Sequence, residues 1–155
     1  MTDLDRTDRK ILDILQRRGR ISMTDLAEQI GLSTSPCSER VRRMEREGVI
    51  TGYYARVDPQ ALGKTLLVFV EVTLSSKSGD VFDKVRKELM HVPEVMECHL
   101  VSGGFDYLIK ARLRAMSDYR NLLGDLLKKL PVTAESRSYV VMEEVKESLY
   151  LPVDR

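Results

Sequence analysis

Two cysteines, two histidines and no long apolar run set the first limits on this chain of 155 residues. Cys37 and Cys98 lie far apart, in stretches that read as different structural units. A disulfide framework is therefore not expected, and free thiols in a reducing cytoplasm are. Of the histidines, His91 stands alone and His99 follows Cys98 directly, so a strand would turn that pair to opposite faces and deny it the geometry of a catalytic dyad. No metal-ligand spacing is present. The expectation is a protein that is not an enzyme, with no catalytic residues, no metal site and no cofactor. No segment has the apolar length of a membrane span, and the charged start "MTDLDRTDRK" lacks the core of a secretory signal, so neither a membrane nor export is expected. Neither sign of charge dominates: 25 Lys and Arg against 24 Asp and Glu leave a net +1. Whether nucleic acid is a partner then depends on how charge is placed on one surface.

What is present is patterned in two blocks. In the first, Asp5 with Asp8 three residues on resembles a helix cap, followed by Leu4, Ile11, Leu12 and Leu15 at helical spacing up to Gly19. Ser22 and Asp25 open a second helix with a stripe of Leu26, Ala27 and Ile30, ended by Gly31. A third runs to Gly48, with Ser33 or Ser35 as its N-cap; the latter would put Pro36 at the favoured first position. Helix, tight glycine turn, helix is the helix-turn-helix plan, and equally the corner of a plain three-helix bundle. The third helix separates these readings. At ~100° per residue, Cys37, Val41 and Met44 form one apolar stripe, and the opposite side carries Ser35, Glu39, Arg42 and Arg46, flanked by Ser38 and Arg43. Hydroxyls at the N-terminal end with arginines behind them suit a helix laid against base edges and phosphates. "VITGYYARVD" then alternates like a strand up to Asp58-Pro59, and "PQALGK" punctuates the chain.

The second block repeats one order. A nearly continuous apolar strand, residues 65–74, precedes a helix at 80–90 ended by Pro93 and a strand at 95–102. A further strand within "LVSGGFDYLIKARL" is followed by a Ser117-capped amphipathic helix ended by Pro131 and a last strand, "SRSYVVMEEV". Strand-helix-strand twice over is the ferredoxin-like plan. The strands read as apolar on both sides, so the sheet face away from the helices needs a cover, and a second copy of the chain is the economical one. An RNA-binding sheet of the same topology fits poorly, because Gly103, Asp106 and Lys110 stand where basic and aromatic residues would be needed. The break Ser102-Gly103-Gly104 is open to two readings from its residues alone: a hairpin turn with a surface acid, or bare backbone that a ligand approaches.

The segments "STSPCSERVRRMEREGVITGYYARVDPQALG", "HLVSGGFDY" and "SYVVMEEVKESL" together resemble the Lrp/AsnC family of bacterial and archaeal regulators, over nearly the whole chain. The resemblance implies an α+β protein: a winged helix-turn-helix domain with its linker strand over 1–64, joined to a ferredoxin-like βαββαβ effector and oligomerisation domain over 65–155. It implies a transcriptional regulator in the bacterial cytosol, on double-stranded DNA, answering to a free amino acid bound between dimers that assemble further, to octamers. The DNA-binding positions carried over are Ser33, Thr34, Ser35, Pro36, Ser38, Glu39, Arg42, Arg43 and Arg46. Those for the effector are Leu100, Ser102, Gly103, Gly104, Asp106, Met116, Tyr139, Val140 and Val141. On this reading the turn's amides would hold the ligand carboxylate, Asp106 its ammonium, and Leu100, Met116 and Val141 an apolar side chain, leucine first, alanine or methionine next. Gly104 and Val132 depart from the residues common in the family. The alternatives are the RNA-binding module and an amino-acid sensor that binds no DNA.

Overall fold

The computed structural model describes residues 3–153; residues 1–2 and 154–155, the outer ends of the two expected domains, lie outside the described residues. The chain divides into two compact units. One runs up to Arg56 and takes in the residues from Lys146 onward; the other is Val57–Val145. A single cut near residue 64 does not give this division, because the chain's last segment is tied to the first helix.

In the first unit, Asp5 caps α1 (Arg6–Arg17) in a reciprocal capping box with Asp8. Ser22 caps α2 (Met23–Ile30), accepting from the Asp25 amide at 3.0 Å. Gly31 ends it at φ 75°, a left-handed conformation that favours glycine and turns the chain tightly into the next helix. The cap of α3 (Thr34–Arg46) is Ser33, the first of the two candidates. Pro36 is then the third helical residue rather than the first. That position explains why the Ser33 hydroxyl makes no capping bond: one of the two amides that such a cap addresses is missing on proline. Ile11, Leu15, Leu26, Ala27, Cys37, Val41 and Met44 close the core that the three stripes define. From the far end of the chain, Leu151 exchanges two hydrogen bonds with the Gln16 amide side chain, at 2.7 and 3.0 Å. The Tyr150 ring stacks under Arg17, and its hydroxyl donates to Asp13 at 2.5 Å.

The second unit holds β1 (Leu66–Leu74), α4 (Gly79–Met90), β2 (Val95–Leu100), β3 (Tyr107–Leu113), α5 (Met116–Lys129) and β4 (Ala134–Val140). The sheet order is β2-β3-β1-β4, antiparallel throughout. Val68, Val70, Val72 and Leu74 of β1 and Tyr107, Ile109 and Ala111 of β3 join Val81, Val85 and Leu89 of α4 and Tyr119 and Leu126 of α5 in one core.

Four expectations need correction. Residues 49–58 form no strand among the described residues, since alternation makes a strand only where a ladder partner exists and the chain supplies none. Ser117 is not the cap of α5: the Tyr119 amide already donates to Ala115 O, which makes Ala115 the cap. β4 begins and ends earlier than residues 136–145, because β1 begins only at Leu66 and leaves nothing beyond the Val141 amide bond to Leu67 O. Finally, the helix-free face of the sheet is mixed rather than apolar. The pairing puts Leu67, Phe69, Leu108 and Tyr139 there with Glu71, Glu97, Lys110, Arg112 and Arg137; Lys110 pairs with Glu97 at 3.1 Å, and Arg112 bonds Glu144.

Candidate functional site

The outer side of α3 is built as its stripe requires. With Cys37, Val41 and Met44 in the core, the residues Ser33, Thr34, Ser35, Pro36, Glu39, Arg42 and Arg46 are exposed, and Ser38 is half-buried. No described acid pairs with Arg42 or Arg46. Hydroxyls and free helix amides at one end and two guanidiniums along the rest make a surface that can meet phosphate oxygens and base edges together.

Arg43 does not belong to it. Its guanidinium turns back to α1 and meets the Asp8 carboxylate at 2.5 Å, not Glu39 one turn away. Arg40 does the same, at 2.8 Å from Asp8 and 2.6 Å from Asp5. Asp8 is 0% exposed and accepts a third bond from the Asp5 amide. That amide–carboxylate box works both ways: the Asp8 amide, then Arg40, hold the Asp5 carboxyl below its usual range. The two flanks of α3, which a helical wheel treats alike, are therefore different. The signal in the sequence was an acid on an apolar stripe: Asp8 sits one turn before Ile11 and Leu12, where a charge is stable only if paired. Arg40 carried no such mark.

The effector candidates separate into two groups. Leu100, Ser102, Gly103, Gly104 and Asp106 lie where β2 turns into β3. The hairpin is closed by Val101 N donating to Asp106 O at 2.9 Å. Between those residues the amides of Ser102, Gly103, Gly104 and Phe105 find no backbone acceptor among the described residues, and Gly103 holds φ 152°, a conformation open to glycine. Asp106, expected to take a ligand ammonium, is 6% exposed and committed inside the chain: its carboxylate accepts from Leu74 N at 2.8 Å and meets Lys77 Nζ at 2.8 Å. Burial pushes this carboxyl upward, but the Lys77 and Leu74 hydrogen bonds and the Lys77 charge outweigh it and leave it below the usual range.

Met116 begins α5, just past Leu113, and Tyr139, Val140 and Val141 end β4 beside Phe69, Val68 and Leu67. These positions are at the other end of the sheet. Leu113 lies six steps along β3 from Tyr107, about 20 Å at the rise of a strand. A free amino acid cannot bridge the two groups within one chain. Leu100, Met116, Tyr139 and Val140 are all exposed apolar side chains. On β2, Cys98 pairs opposite Ile109 and His99 opposite Leu108, on opposite faces of the sheet. Tyr107 of β3 is in the core, so that strand offers no aromatic platform for stacked bases. No helix among the described residues is long and apolar enough to cross a membrane.

Comparison with known proteins identifies both halves of the chain. Residues 4–51 match a winged helix-turn-helix DNA-binding domain, and residues 67–151 match the Lrp/AsnC ligand binding domain. The chain is 54% identical over 146 residues to the leucine-responsive regulatory proteins of Escherichia coli (strain K12) and Klebsiella pneumoniae, a span of 94% of this chain and 89% of theirs. It is also similar to the crystal structure of a transcriptional regulator from Neisseria meningitidis in complex with L-Met, with a TM-score of 0.92 and 31% identity over 98% of each chain. A feast or famine regulatory protein from M. tuberculosis complexed with L-methionine gives a TM-score of 0.88 and 30% identity, over 98% of this chain and 100% of that one. The chain belongs to the Lrp/AsnC family of DNA-binding, amino-acid-responsive transcriptional regulators.

Proposed function

We propose that the effector is a small apolar amino acid, leucine first and methionine or alanine next, held between copies of the second unit. The observation that carries this is the separation of the candidate residues into two half-sites. The turn at Ser102–Phe105 offers four unused amides that suit a carboxylate, with the exposed Leu100 beside it. The apolar residues Met116, Tyr139, Val140 and Val141 lie at the far end of the sheet. A second copy that brings its far end against the first copy's turn completes a pocket with an anion-holding wall and an apolar wall. Asp106 works in this site through the turn: by tying the hairpin to Leu74 and Lys77 it holds the amides in place. That relatives from N. meningitidis and M. tuberculosis bind L-methionine supports this class of ligand.

Such a site makes ligand binding depend on assembly. Dimers that cover the mixed sheet face, and associate further to octamers, carry pairs of α3 helices to double-stranded DNA in the cytoplasm. An amino acid bound between dimers shifts DNA affinity only by favouring one assembly over another, typically by about 1–3 kcal/mol. The test is calorimetry of the full chain against the twenty amino acids, followed by sizing with and without the one that binds. Binding of an apolar amino acid with a change in assembly is the expected result. Binding at unit stoichiometry to an isolated monomer would refute the shared site.

A further inference from the structure

We infer that Asp8 is a positioning residue for DNA recognition: with Asp5 it draws Arg40 and Arg43 off the DNA face of α3, so that of the helix's arginines only Arg42 and Arg46 present positive charge there. This rests on the DNA-reading role of α3 and goes beyond it by assigning the work of its four arginines. Two carboxylates meet two guanidiniums at 2.5–2.8 Å, and the more central carboxylate is fully buried. The cluster is thus neutral within itself. Arg40 and Arg43 lie on the one flank of α3 that faces α1, three residues apart, so the clamp grips the helix at two points almost a turn apart and fixes its rotation. Rotation of a recognition helix decides which side chains reach base edges. The Arg43 side chain is still 37% exposed, and its Nε is buried without an acceptor among the described residues. It is held inward by Asp8 rather than enclosed, and without that charge it swings to the adjacent phosphate-facing side.

The consequence is a division that a purely structural role would not produce. The experiment measures affinity of the full chain against salt concentration, on a duplex selected in vitro by the wild-type protein and on a scrambled duplex. Each phosphate contact contributes about 0.9 to the slope of log affinity on log salt, so about 1.8 for a two-fold dimer. Arg42→Met flattens the slope by that amount, whereas Arg43→Met leaves it unchanged. Asp8→Asn steepens the slope on both duplexes and lowers the ratio of selected to scrambled affinity about tenfold, the loss of one good base contact. Equal flattening by Arg42→Met and Arg43→Met would overturn the inference, as would a folded Asp8→Asn protein with wild-type slope and ratio. If Asp8→Asn does not fold, the comparison of the two arginine variants decides alone. A wild-type chain that binds no duplex DNA in any salt would overturn the DNA-reading role itself, and this inference with it.

Discussion

Replacing Asp106 with alanine tests whether the turn is anchored as the structure implies. The carboxylate is the acceptor for the amide of Leu74, a residue only 2% exposed. Alanine leaves that amide buried without a partner, at a cost of about 1–3 kcal/mol, and removes a charge-assisted bond of similar size. The two terms describe the same bond and overlap, so about 2–3 kcal/mol is expected for Asp106→Ala. The other contact, to Lys77, is worth less: the lysine side chain is 55% exposed, water can replace it, and such pairs contribute about 0–1 kcal/mol. Lys77→Met should thus cost less than half as much. For a unit of this size each kcal/mol moves the melting temperature by about 4–8 °C. Thermal unfolding followed by far-ultraviolet circular dichroism should place Asp106→Ala about 10 °C or more below wild type, and Lys77→Met only a few degrees below. The pH dependence has a fixed sign. The folded carboxyl is held below its unfolded value of about 3.9, so its contribution is complete above that value and fades as pH falls through the lower, folded one. The gap between wild type and Asp106→Ala should narrow in acid. A larger loss from Lys77→Met than from Asp106→Ala, or a gap that does not change between pH 7 and pH ~2, would refute the reasoning.

Further expectations follow from other parts of the molecule. Met44→Ala, in the fully buried centre of the first unit, should cost about 2–5 kcal/mol in denaturant unfolding and weaken DNA binding only through the lost fold. Gly31→Ala should destabilise that unit by about 1 kcal/mol through the left-handed turn at φ 75°, while Gly79→Ala, at a helix start with open space around it, should not destabilise its unit. Gly103→Val should remove the amino-acid effect on DNA affinity, with assembly and DNA affinity without amino acid near wild type; a retained effect would return Ser102–Phe105 to being only a turn. Tyr150→Phe loses the hydroxyl that reaches Asp13 and Arg17, and protease should then release the last segment sooner than in wild type.

Much of this architecture was readable because local signals agree with the tertiary outcome. The stripes of the three helices, the Asp5 and Ser22 caps, Gly31, and the prolines after α4 and α5 each act within a few residues, so their physics is in the sequence order. The misreadings arise where the deciding partner is remote. Arg43 points inward because of Asp8, thirty-five residues earlier; residues 49–58 alternate but have no ladder partner among the described residues; β4 stops where β1 runs out. The charges on the open sheet face were missed because β1 and β4 suggested apolar strands despite Glu71 and Arg137, and β2 and β3 add Glu97, Lys110 and Arg112. The candidate effector residues were proposed as a set through family resemblance. That the set falls at two ends of the sheet is a property of register, which composition does not contain. The same holds for Asp106: an acid between two aromatics was visible as unusual, but not that its partners are Leu74 N and Lys77.

The proposed regulator joins, in one chain, a DNA-reading helix to an amino-acid site shared between copies. Fluorescence anisotropy of a labelled duplex, titrated with the full-length protein with and without saturating leucine, methionine or alanine, tests this most directly. Duplex binding should weaken with salt, and at least one of these amino acids should shift its affinity by about 5–150-fold. Affinity identical with and without every one of them, in a protein that binds the duplex and assembles, would contradict the shared site.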